Sequence, residues 1–248
     1  MMKELIRLEE VSLWRRTQEE FSYDLKQTIL SMIERKYKKA SKRLVLDQVS
    51  LVVNEGEKIG IIGANGSGKS TLLKVISGIL QPTTGKAKVK GQISPLIELG
   101  AGFDPNLSVK DNIILYGVML GFSRNEMKQR TQAILEFAEL EDYQLHPIKG
   151  LSSGMIARLG FAIATDVKPD ILILDEVLSV GDEKFRHKCQ QRIESLWTSN
   201  TAVLLVSHDL SFVEKFCDQT IYLERGKIVK FSSSKIAIEH YLNNTFES

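Results

Sequence analysis

Three observations predict an α/β fold built on a mostly parallel sheet. Short apolar runs that read as buried strands alternate with helix-like segments along the chain, most regularly from residue 153 onward. Two of those runs, Ile171–Leu174 and Thr201–Ser207, end in polar residues grouped at one strand terminus. A third, Lys58–Ile62, feeds the glycine-rich stretch Gly63-Ala-Asn-Gly-Ser-Gly-Lys-Ser-Thr71 and then a helix opening at Ser70–Ser77.

The elements are read in chain order. Ile6–Leu13 alternates weakly as a first strand, and Leu44, Leu46, Val49, Leu51 and Val53 mark a second. Asn54-Glu-Gly56 is a turn signal, and Gly78, Pro82 and Gly85 punctuate the approach to a strand at Lys86–Lys90. Residues 95–103 are glycine-rich and are expected to be irregular. Two helices should come next, the first capped by Ser108 and the second opened by the capping box Ser123-Arg-Asn-Glu126. Beyond them the pattern predicts helix 154–166, strand 170–175, helix 183–198, strand 201–207 and helix 209–217. Two strands at 219–224 and 227–231 meet at Arg225-Gly226, and a helix closes the chain.

Composition excludes several classes. The 248 residues carry a formal net charge of +2, so bulk charge gives no argument for a nucleic-acid partner. The hydrophobic share of 43% is that of an ordinary globular chain. The longest charge-free apolar stretch, Asn112–Ser123, falls well short of a membrane span, and Met-Met-Lys-Glu opens no apolar signal core. Cys189 and Cys217 lack metal-ligand spacing and read as free thiols in a reducing compartment.

The chemistry is concentrated in four places. Gly63, Gly68, Lys69 and Ser70 satisfy the phosphate-loop pattern G-x-x-x-x-G-K-[ST]. A strand, a glycine-rich turn and a helix N-terminus aim backbone N–H groups at one point and add partial positive charge there. In that reading Asn65, Gly66, Ser67 and Thr71 complete the cradle, Lys69 reaches the β- and γ-phosphates, and Ser70 ligates Mg²⁺. Asp175 and Glu176 end a buried strand on the edge where open α/β sheets bind ligands. Asp175 is placed to assist the metal ion, and Glu176 to polarise an attacking water. His208 ends another strand on the same edge, whereas His146, His187 and His240 read as structural. Leu151-Ser-Ser-Gly-Met155 opens a helix; taken alone it is an ordinary N-cap as readily as an anion site.

A phosphate loop at 63, Ser-Ser-Gly at 152, Asp-Glu at 175 and His at 208 form an ordered set that resembles the ATP-binding subunit of ABC transporters over almost the whole chain. The resemblance implies a RecA-like core, an antiparallel β-subdomain and an α-helical subdomain at about 95–160 within one nucleotide-binding domain. It implies a head-to-tail dimer sandwiching two ATP molecules. In that dimer Ser152, Ser153 and Gly154 would meet the γ-phosphate held by the partner copy, and Asp182 would lie in the loop crossing the interface. His208 and Glu98, the latter in place of the usual glutamine, would sense the γ-phosphate, with Glu98 facing the metal ion or water. The departures "IELGAGF", "SSGM" and "DEVLSVGD" resemble polysaccharide exporters, the O-antigen and teichoic-acid group. That likeness implies an ATPase, using ATP and Mg²⁺, on the cytoplasmic face of the inner membrane. It would power export of a polyprenyl-pyrophosphate-linked polysaccharide of the O-antigen type through a separate transmembrane permease, with teichoic-acid or capsule export, or a soluble ABC ATPase, as rivals. No carbohydrate-binding domain is expected after the last helix.

Residues 15–43 read as an insertion. Phe21, Leu25, Ile29, Met32 or Ile33, and Tyr37 recur at helical spacing, and the end is basic, with Arg35, Lys36, Lys38, Lys39, Lys42 and Arg43. Such a helix suits a membrane surface or an anionic partner as well as it suits packing on its own domain. Trp14 is the aromatic best placed to stack on adenine, with core packing as the alternative and Tyr37 as a weaker candidate.

Overall fold

The computed structural model describes residues 3–16, 42–96, 99–166, 168–175, 181–197 and 200–246. Most of the basic insertion, Tyr37 included, lies outside them, as do Glu98 and Glu176.

Two sheets organise the chain. Strands β1 (Glu4–Arg16), β2 (Lys42–Asn54) and β4 (Thr84–Val89) form an antiparallel sheet in the order β2-β1-β4. The apolar set of β2 shifts phase between Leu46 and Val49, and the structure gives the reason. Gln48 takes a positive φ of 51°, and the register with β1 slips there as a bulge. Leu46, Val49, Leu51 and Val53 therefore all reach the same core.

The larger sheet has six strands: β3 (Lys58–Ile62), β5 (Ile93–Leu96), β6 (Ile171–Asp175), β7 (Ala202–Val206), β8 (Gln219–Glu224) and β9 (Lys227–Ser233). Their order is β5-β6-β7-β3-β8-β9, parallel except for the hairpin partner β9. Strand β5 corrects the expectation that residues 95–103 are irregular from the start. Four residues containing Pro95 carry little strand signal, but an edge position tolerates the missing N–H. Ser94 fixes β5 by donating its buried hydroxyl to the Ala164 carbonyl at 2.5 Å.

Period-two alternation sorts the central strands onto two cores. Ile171 and Ile173 of β6, with Leu204 and Val206 of β7, face one side; there they meet the antiparallel sheet and helix α1 (Lys69–Ile76). Leu172, Leu174, Val203 and Leu205 face the other side. That second core is closed by Phe161 of α4 (Ser153–Thr165) and Phe185 of α5 (Glu183–Leu196), and by α6 (Leu210–Phe216) and α7 (Ser234–Phe246). Each fully buried side chain of this size contributes about 1.5–3 kcal/mol. Helices α2 (Val109–Met119) and α3 (Arg124–Ala138) build a third core with α4, around Ile113, Ile134 and Leu159. The caps read from sequence are present: Ser108 accepts from the Asp111 N–H, and Ser123 and Glu126 form the reciprocal box.

Both cysteines are free and buried, and burial pushes each thiol up to about 12. The folded protein should therefore resist a thiol reagent at pH 8 and react on unfolding, as a dithiobis-nitrobenzoate time course with and without urea would show. Each raised value contributes stability below the unfolded thiol's ordinary pKa of about 8.5, lost as pH rises from there toward the folded value.

Candidate nucleotide site

Parallel β6, β7 and β3 are adjacent, so their C-terminal ends stand side by side on one edge. Asp175, His208 and the loop 63–68 are delivered there together, around a cavity of about 550 Å³.

The loop is shaped by backbone constraints. Gly68 is the N-cap of α1, with φ 111°, and a Cβ there would lie 2.9 Å from the Val45 carbonyl oxygen. No side chain caps this helix. Its first-turn N–H groups, which have no intrahelical acceptor, thus remain for a ligand. The loop is braced from behind, where the Gly226 N–H donates to the Ser67 carbonyl at 2.8 Å. Lys69 is 8% exposed, and its ammonium donates to the carbonyls of Gly63 at 2.7 Å and Ala64 at 3.1 Å. The Ser67 hydroxyl is the one buried side-chain polar atom without a hydrogen-bond partner among the described residues. The backbone N–H of Ser67 donates to the Ala64 carbonyl at 3.1 Å, so the turn is closed on itself while the hydroxyl stays unsatisfied.

Charge supports the same ligand. Arg15, Arg43 and Lys69 line the cavity, against Asp175 as its single carboxylate among the described residues. From sequence Arg43 belongs to the basic end of the insertion and Arg15 carries no signal, while their neighbour Trp14 is the expected base contact. Trp14 is 46% exposed and does not line the cavity. Strand alternation explains this, since Arg15 and Arg43 stand opposite each other across β1 and β2, one residue away from the Trp14–Leu44 pair. A guanidinium stacks on planar groups as an aromatic ring does, and the sequence signal for it is only an arginine at a strand end.

Asn65, Gly66, Ser70 and Thr71 join the cavity lining as the pattern predicted. Ser152, Ser153 and Gly154 do not; they are exposed at the start of α4, where Ser152 accepts from the Met155 N–H at 3.3 Å. Asp182 is also exposed and away from the cavity lining, capping α5. The Phe185 N–H, and after it Arg158, hold its carboxyl below the usual range against an opposing desolvation.

The profile of the ABC transporter family matches residues 46–179. The chain belongs to that family. It is 43% identical over 203 residues to the O-antigen export system ATP-binding protein RfbB of Klebsiella pneumoniae, covering 82% of each chain. It is also 43% identical over 196 residues to the teichoic acids export ATP-binding protein TagH of Lactiplantibacillus plantarum, covering 79% of this chain and 54% of that relative. The chain thus spans about half the length of the latter. Among solved structures, a dimeric ATP-binding cassette in a post-hydrolysis state with ADP and Pi shares the fold. Its TM-score is 0.68 at 23% identity, covering 93% of this chain and 99% of that one.

Proposed function

We propose that this ABC-family chain is the ATP-hydrolysing subunit of an exporter of lipid-linked polysaccharide, of the O-antigen type. The observation that carries the nucleotide chemistry is the cationic cavity around an uncapped helix N-terminus, lined by Arg15, Arg43 and Lys69. The named relatives in O-antigen export support the cargo; the similar identity to a teichoic-acid exporter keeps that cargo as the second reading.

In this reading loop N–H groups and Lys69 bind the triphosphate. Ser70 and Asp175, both oxygen donors on the cavity wall, suit a hard divalent cation and would hold Mg²⁺. When bound, that ion neutralises charge building on the transferred phosphoryl group. Glu176 takes the proton of the attacking water; His208 and Glu98 hold the γ-phosphate or that water in place. Ser152, Ser153 and Gly154, exposed on their own domain, are offered to a nucleotide on a second copy, with Asp182 at the interface between copies. No helix among the described residues is long and apolar enough to cross a membrane. In this reading the subunit works peripherally on a separate transmembrane permease, at the cytoplasmic face of the inner membrane. In the insertion, expected at 15–43, the residues between β1 and β2 are offered to lipid or substrate phosphates, while Arg15 and Arg43 at its two ends belong to the strands and line the nucleotide cavity. About 95–160 is the helical subdomain.

The test is recovery of tagged Glu176→Gln protein from its own membranes with ATP, followed by mass spectrometry. A multi-span protein with a pyrophosphate-linked glycan is the expected result. A small-solute permease, ribosomes or DNA would overturn the cargo and keep the ATPase.

The base subsite has its own test. Arg43→Ala should raise KM for ATP about tenfold, about 1.4 kcal/mol, with Trp14→Ala changing it less than about twofold. The opposite ranking would return the adenine contact to Trp14.

A further inference from the structure

Arg15 and Arg43 give the nucleotide cavity a second end with a chemistry of its own. They pair across β1 and β2, so their side chains leave the same face of the antiparallel sheet side by side. Both are exposed, and both line the cavity. The two guanidiniums are not equivalent. Arg43 Nη2 would stand 3.9 Å from a Cβ on Gly66 of the phosphate loop, whereas no atom of Arg15 comes within 4 Å of that point. Arg43 thus lies over the loop, where every nucleotide places its phosphates. Arg15 is left to face the part of the ligand beyond them.

The side chains that can accept a hydrogen bond belong to the phosphate end. Asn65, Ser70, Thr71, Asp175 and His208 come from the loop, the first turn of α1 and the C-terminal edge of β6 and β7. Val45, the other β2 residue on the wall, turns its carbonyl away toward the loop backbone. That oxygen is the nearest atom to a Cβ built on either Gly68 or Gly226. Among the described residues, the base is therefore offered guanidinium donors and no side-chain acceptor.

Adenine and guanine differ on the edge that such a site reads. Guanine carries two acceptors, O6 and N7, which match the planar fork of one arginine. Adenine carries N7 beside a donating N6 amino group, which meets the fork donor to donor. An aromatic ring at the same place would stack on either base alike.

We propose that Arg15 is a specificity-determining residue that selects the base by its acceptor edge, so that GTP is a substrate of this chain alongside ATP and is bound in preference to it. The inference rests on the nucleotide reading of the cavity. Lysine at this place keeps the charge but offers a point donor in place of a fork.

The experiment measures calorimetric affinity for the non-hydrolysable β,γ-imido analogues of ATP, GTP and ITP, steady-state hydrolysis of the three parent nucleotides, and thermal melting. It uses the full chain as wild type, Arg15→Ala, Arg15→Lys, Arg15→Tyr and Arg43→Ala. Wild type should bind the GTP analogue about tenfold more tightly than the ATP analogue, and hydrolyse GTP with the lower KM. The ITP analogue, which shares O6 and N7 with guanine but lacks its amino group, should follow the GTP analogue. Arg15→Ala and Arg15→Tyr should bring the three affinities to within about twofold of one another, with Arg15→Lys in between. Arg43→Ala should weaken all three alike, about tenfold, and leave the preference in place. A wild type that binds the ATP analogue as tightly as the GTP analogue overturns the proposal and spares the nucleotide site. So does a preference for guanine that survives Arg15→Ala in folded protein, or an ITP analogue that follows the ATP analogue. A folded wild type that binds none of the three overturns both.

Discussion

Glu176→Gln is expected to bind ATP as tightly as the wild type and to turn it over about 10²–10⁴-fold more slowly, the usual contribution of a positioned general base. The substitution keeps size and hydrogen-bonding reach but removes the ability to take a proton. Glu176 directly follows Asp175, which ends β6 on the cavity wall, so the proposed base is the next residue after a buried strand. The variant should therefore trap ATP before hydrolysis. With the γ-phosphates intact, the sandwich dimer should accumulate, visible as an ATP-dependent mass doubling in sedimentation. Single-turnover phosphate release gives the rate. Activity within a few-fold of wild type would end the assignment of Glu176 as base, and a monomer that holds ATP would end the dimer reading.

The features legible in the sequence obey physical rules with few competitors. The phosphate loop was readable because its backbone demands glycine at particular places, and Gly68 shows why, pressed against the Val45 carbonyl with φ 111°. Buried parallel strands were readable as unbroken apolar runs, and Ser123 with Glu126 announced α3 because reciprocal capping needs that spacing. The unread features depend on partners distant in the chain. Strand β5 exists because β6 pairs with Ile93–Leu96, and Pro95 hides it locally. Arg15 and Arg43 share the cavity because β1 and β2 pair in one register, which the intervening insertion conceals. The bulge at Gln48 was visible as a phase slip in the apolar set, yet only the pairing turns that slip into a shared core. Arg158 is a single charge on an amphipathic helix until Glu139 and Asp182 are brought to it.

Lys69→Ala should lower ATP affinity more than about 100-fold, about 2.7 kcal/mol or more, and leave the fold nearly as stable. The two halves of that expectation come from one geometry. Lys69 is nearly buried and its ammonium bridges the Gly63 and Ala64 carbonyls, so it holds the loop as well as a ligand. Losing those bonds leaves two loop carbonyls without this donor, a cost of about 1–3 kcal/mol each if water cannot replace it. Removing a sheltered charge also removes its desolvation penalty, which acts in the opposite direction. The cavity is open enough for water to reach the loop, so the two effects should nearly cancel in thermal melting. Nothing cancels the loss toward a triphosphate, because Arg15 and Arg43 line the cavity from the paired ends of β1 and β2 rather than from the loop. Titration calorimetry with ATP, paired with a melting curve, separates the outcomes. Affinity held within a few-fold would mean that loop N–H groups and the helix N-terminus carry the phosphates without the lysine. A large drop in melting temperature would make Lys69 chiefly a structural brace for the loop.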